Sequence, residues 1–96
     1  MHAELVILNL GSRVRELGAT MIPQFAALHE AQKGLINQTF FGDEQTGNCG
    51  CFSVWKSKED LDAAMAACVP ELQKAIVGLV KEEPTIQVFE VFEPKK

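Results

Sequence analysis

Residues 48–65 read NCGCFSVWKSKEDLDAAM, and the first chemistry they suggest is thiol chemistry at Cys49 and Cys51. Two positions apart on an extended strand, the two side chains fall on one face. A metal site needs about four ligands at suitable spacing. Only Cys68, His2 and His29 remain to supply them, with no C-x-x-C or H-x-x-x-H pattern, so no metal is expected. Side chains at i and i+2 of a flat strand also lie too far apart for an easy disulfide. Cys49 and Cys51 therefore read as small buried residues. Cys68, within an apolar helical stripe, reads as core, since a free cysteine packs like a small hydrophobe.

Trp55 shares a strand face with Cys49, Cys51 and Ser53. It either stacks on an aromatic substrate or locks the strand end, having a large apolar body and one N–H donor. His29 has a side chain that titrates near neutrality and is a candidate general base. Its neighbour Glu30, the one carboxylate close in sequence, points elsewhere on a helix. Asn9, Asn37 and Thr39 are polar residues inside strands, and such groups need a hydrogen-bond partner or a ligand. Strict alternation places Asn37 and Thr39 on one face with Leu35 and Phe41. Met21, Phe25, Phe40 and Phe52 either line an apolar pocket or fill a core. Asn9 and His29 are thus the catalytic candidates, and Trp55, Asn37, Phe25 and Met21 the substrate-binding ones.

Six elements must position these groups. Ala3 to Asn9 is an apolar strand. Gly11 breaks it, and Ser12 is placed to cap the next helix. From Arg13 to about Gln32, Val14, Leu17, Met21, Phe25 and Leu28 recur at steps of three and four, which predicts a helix. Gly18 and Pro23 predict a bend within it and an opening beneath. Gly34 closes that segment. Leu35 to Gly42 and Asn48 to Lys56 read as strands of a hairpin around DEQTG. Ser57 with Asp60 resembles a capping box. It starts a second helix along Leu61, Met65, Cys68, Leu72, Ile76 and Leu79, with a kink expected at Val69-Pro70. Thr85 to Phe92 is the last strand, and EPKK a polar tail.

The order βαββαβ predicts an α+β, ferredoxin-like fold in one domain, 1–96: a four-stranded antiparallel sheet with two helices on one face. The first and last strands are apolar on both sides, with Leu5 and Ile7 opposed to Val6 and Leu8, and Ile86 and Val88 opposed to Phe89 and Val91. A sheet face wetted by solvent would alternate. The helix-free face therefore needs a cover, and a homodimer packed sheet to sheet supplies one. A net charge of −4 without a Lys/Arg cluster argues against nucleic acid. No apolar run approaches the roughly 20 residues of a membrane span. The start MHAELVIL lacks a basic leader, and three cysteines fit a reducing compartment, so a cytoplasmic location is expected.

GLINQTFFGDEQTG, VWKSKED and FEVFEP together resemble the antibiotic-biosynthesis-monooxygenase-like family of the dimeric α+β barrel superfamily. That family includes cofactor-independent oxygenases of phenols and quinols, haem-degrading enzymes and members without known activity. The resemblance implies a pocket between sheet and helices, no cofactor, and Trp55 at the position of a pocket tryptophan. The Asn, second Trp and His of the haem-degrading branch fall near Glu4, Ala64 and Lys74, so haem degradation is not implied. The chain has no tyrosine, a residue that phenol-oxidising relatives place in the pocket.

Three functions follow as expectations. The first is a cofactor-independent monooxygenase acting on a small aromatic phenol or quinol. The second is a non-catalytic, small-ligand-binding or stress-related dimer of the same fold. The third is an isomerase or lyase, which requires a paired acid and base that the sequence does not reveal.

Overall fold

A computed structural model describes residues 1–80 and 82–94. The elements are β1 (His2–Asn9), a 3-10 turn (Gly11–Arg13), α1 (Val14–Glu30), β2 (Leu35–Gly42), β3 (Asn48–Trp55), α2 (Lys58–Ile76) and β4 (Thr85–Glu90). The strands form one antiparallel sheet in the order β2-β3-β1-β4, with both helices on one face. This is the expected ferredoxin-like arrangement. It puts the β3–β1 pair at the centre and leaves β2 and β4 as edges.

The helix boundaries differ from expectation in instructive places. Ser12 lies in the 3-10 turn and makes no capping bond; α1 begins after Arg13. Both internal prolines are accommodated inside continuous helices, Pro23 in α1 and Pro70 in α2. A proline removes the bond to the carbonyl four residues back. Those carbonyls belong to Ala19 and Ala66, both exposed residues, so water can take the place of the lost donor. Ser57 caps α2, its hydroxyl accepting from the Asp60 N–H at 3.1 Å. That helix ends at Ile76, before Leu79, where Gly78 adopts φ +77°. The last strand ends at Glu90 rather than Phe92, and β3 at Trp55 rather than Lys56.

Register fixes which residues face the helices. Across the sheet, Gln38 opposes Ser53, which opposes Glu4; Phe40 opposes Cys51, which opposes Val6; Gly42 opposes Cys49, which opposes Leu8. These rows point toward α1 and α2. An irregularity between Leu35 and Asn37 breaks the alternation of β2, pairing Leu35 with Trp55 and Asn37 with Val54. Leu35 therefore faces the helices, whereas Asn37, Thr39 and Phe41 face the other side.

Two apolar clusters close the ends of the sheet–helix layer. One joins Leu8, Leu10, Val14, Phe25, Leu72 and Ile76. The other is Trp55 with Leu61 and Ala64. Beside the first cluster the facing residues are small: Gly18 and Ala19 on α1, Gly42, Cys49 and Cys51 on the sheet, and Cys68 on α2. Together they leave a cavity of about 280 Å³ open beneath α1.

Gly18 costs the helix backbone entropy without a steric reason, since a Cβ there meets nothing within 4 Å. Gly18→Ala is expected to raise stability by about 0.5–1 kcal/mol, read as a higher denaturation midpoint at an unchanged m-value.

Candidate functional site

His29 lies in the last turn of α1 and is 7% exposed, held against Phe40 and Trp55. Its Nδ1 is 2.9 Å from Gln38 Oε1. The Gln38 amide nitrogen donates to the Ala26 carbonyl at 3.3 Å and to Glu30 Oε1 at 3.4 Å. With the amide NH2 turned to two acceptors, its oxygen is left to accept from the imidazole. The proton of neutral His29 therefore sits on Nδ1, and Nε2 carries a lone pair. Burial lowers the His29 pKa below its ordinary 6.5, and the Gln38 bond offsets this only in part. The side chain is thus a neutral, oriented imidazole at the wall of an apolar cavity. Glu30, which helical spacing directs away from His29, is joined to it through Gln38.

Glu4 is the second ionisable group in the cavity wall. It is 5% exposed, and burial raises its pKa. Glu4 was not among the site residues expected from the sequence. The usable signal was its parity: Glu4 shares a face with Val6 and Leu8, which line the same cavity. A carboxyl that is desolvated only when folded is least unfavourable as the neutral acid. Its folded pKa lies above the unfolded value near 4.5, so its contribution is fully present below 4.5 and lost as pH rises through the folded pKa. Glu4→Gln is expected to stabilise the protein by about 1 kcal/mol or more at pH 8. The difference should vanish near pH 4, as urea titrations at the two pH values will show.

The other expected site residues separate into two groups. Met21 and Phe25 line the cavity with His29. Trp55, Asn9 and Asn37 do not. Trp55 is fully buried because Leu61 and Ala64 of α2 close over the end of β3. Its Nε1–H donates to Ser53 Oγ at 3.0 Å, and its ring meets His29 edge to face at 5.8 Å between centroids. It backs the imidazole and offers no face to a ligand. Asn9 is exposed at the strand end, donating to the Thr46 carbonyl and Asn48 Oδ1 and accepting from the Gly11 N–H. It clasps the turn after β1 to the β2–β3 loop. Asn37 is exposed on the helix-free face, because the irregularity at its start shifts β2 by one side. Gln38 takes the inward position instead.

Three thiols, Cys49, Cys51 and Cys68, surround the same cavity. Burial raises all three pKa values, that of Cys51 to about 12. They are protonated at neutral pH and inert as nucleophiles. At the rim, Arg15 of α1 is paired with Glu44 of the β2–β3 loop.

No sequence-family model matches the chain, and no curated protein matches it. Solved structures do. A Deinococcus radiodurans protein provisionally named an antibiotic biosynthesis monooxygenase superposes with a TM-score of 0.83 at 15% identity, over 100% of this chain and 97% of that one. A monooxygenase from the gene ActVA-Orf6 of Streptomyces coelicolor, in complex with nanaomycin D, gives 0.73 at 14% identity over 98% and 92%. SnoaB, a cofactor-independent oxygenase from Streptomyces nogalater, gives 0.72 at 15% over 97% and 93%. The chain therefore shares the ferredoxin-like fold of these proteins. At these identities the likeness carries the fold, and the chemistry must come from the residues.

Proposed function

We propose that the protein is a cofactor-independent monooxygenase acting on a small aromatic phenol or quinol, with the substrate held in the cavity beneath α1. The observation that carries this is His29: a buried neutral imidazole whose Nδ1 is pinned by Gln38, leaving Nε2 as a base at the wall of an apolar cavity. An apolar cavity of about 150 Å³ holds benzene. The 280 Å³ here suits one or two rings. The fold likeness to SnoaB and the ActVA-Orf6 monooxygenase supports the same reading.

The steps balance without a cofactor. His29 Nε2 removes a proton from a ring CH2 made acidic by a conjugated phenol or its keto tautomer. The resulting electron-rich anion passes one electron to O2, and the radical pair combines into a carbon-bound peroxide. That peroxide takes up the proton held by His29 and loses water, leaving a quinone carbonyl. The sum is CH2 plus O2 giving C=O plus H2O. The apolar walls of Met21, Phe25 and Phe40 keep bulk water from the anion. The test is oxygen uptake with a panel of one- and two-ring hydroquinones and phenols. Uptake above buffer that is lost in the His29→Gln variant supports the reading. Uptake by no member of the panel overturns it.

The helix-free face supports a homodimer. Phe41, Phe52 and Phe89 are each more than a third exposed there, alongside the half-buried Leu5 and Ile7. A second copy packed face to face removes this apolar surface from water. Sedimentation equilibrium is expected to give twice the chain mass, and Phe52→Glu to halve it. A wild-type mass that stays monomeric at all working concentrations excludes the dimer.

A further inference from the structure

The oxygenase chemistry uses His29 and leaves Glu4 idle. Yet Glu4 is the most deeply buried ionisable side chain in the cavity wall and has no side-chain hydrogen bond among the described residues. The row Gln38–Ser53–Glu4 sets the geometry. Two strand spacings, about 9–10 Å, separate the Gln38 and Glu4 backbones. His29 is bonded to Gln38 at one end of that row, and the Glu4 carboxyl occupies the other. Ser53 between them is fully buried and outside the cavity, so a ring of one or two cycles meets the two groups from the cavity that His29 and Glu4 both line. Burial drives the carboxyl toward its neutral form, a donor, and the imidazole toward its neutral form, an acceptor. Opposite displacement of two titratable groups in one site marks an acid and a base.

We propose that the cavity also catalyses an oxygen-independent 1,3-proton shift in a small cyclic ketone, with His29 carrying the proton and Glu4 holding the carbonyl oxygen. It shares His29 as base with the oxygenase reading and differs in needing no oxygen. His29 Nε2 takes the proton from the carbon between the carbonyl and a β,γ double bond. The C–H electron pair becomes a dienolate, whose oxygen accepts a hydrogen bond from the Glu4 carboxylic acid. The imidazolium then returns the proton to the γ carbon. One C–H bond breaks and one forms; nothing is oxidised or reduced. The substrate class is an uncharged β,γ-unsaturated ketone of one or two rings. The walls are apolar, and Arg15, the guanidinium at the rim, is already occupied by Glu44.

Cyclohex-3-enone under argon is the probe, with the conjugated enone followed by its ultraviolet absorbance and deuterium incorporation from D2O followed by mass spectrometry. Wild type is expected to form the enone faster than buffer and to exchange deuterium. Glu4→Leu, which keeps an apolar filling side chain, is expected to lower kcat about a hundredfold, the loss typical of one oxyanion donor. Glu4→Gln, whose amide can still donate, should fall between the two. His29→Gln should abolish deuterium exchange. Enone formation no faster than buffer at any probe concentration overturns the proposal, and so does a Glu4→Leu rate equal to wild type. If oxygen uptake with phenols persists while the argon reaction fails, the oxygenase reading stands and this one falls.

Discussion

Gly50→Ala is expected to lower stability by about 3 kcal/mol, a fall of roughly 12–24 °C in melting temperature for a domain of this size. Gly50 lies mid-strand in β3, opposite Ile7 of β1 and Phe41 of β2. A Cβ at this position would land on the Val6 carbonyl oxygen and lie 2.9 Å from Phe41 Cζ. The obstacle is backbone of the central partner strand, so no rotamer change relieves it. β1 must move away from β3, and with it Glu4 and Val6. Loss of cavity function should therefore accompany the loss of stability. The same substitution at Gly18 has the opposite sign, because nothing occupies the space there. A pair of thermal melts on the two variants checks both. Equal melting temperatures for wild type and Gly50→Ala would contradict this placement of β1 against β3.

With His29 as the base of the proposed oxygenase, His29→Gln is expected to reduce kcat by about a hundred- to ten-thousandfold, the usual worth of a positioned base. The pH profile gives a sharper check. The base must be neutral, so kcat/KM falls as pH drops through the His29 pKa. Burial places that limb below 6.5, with the Gln38 bond opposing the shift. Gln38→Glu would set a carboxylate at Nδ1 and stabilise the imidazolium, moving the limb to higher pH. Gln38→Leu would remove the opposing bond and the tautomer control, lowering both the limb and the rate. NMR titration of the imidazole reports the same order without relying on turnover. Stability follows the same linkage. The folded pKa lies below the unfolded value, so the His29 contribution is intact above about 6.5 and is lost as pH falls through the folded pKa.

The amino-acid sequence alone determined the element order, the face of β3 that turns inward and the Ser57 cap. Each depends on local spacing: period two in the strands, steps of three and four in the helices, a serine three residues before an aspartate. It also singled out Met21 and Phe25, which lie on one helical stripe, and His29, whose side chain titrates near neutrality. What it did not determine was which polar strand residues face the cavity. That depended on the irregularity between Leu35 and Asn37, a long-range pairing feature without a local signature, which turns Asn37 outward and Gln38 inward. Trp55, a conspicuous side chain in NCGCFSVWKSKEDLDAAM, is sealed by α2, and only tertiary packing decides that. Glu4 had the right parity, but an isolated acid in an apolar strand acquires meaning only when the sheet sets it across a cavity from an imidazole. Local periodicity specifies faces; the distance between groups on different strands is set by register, and the chemistry of this site is a matter of register.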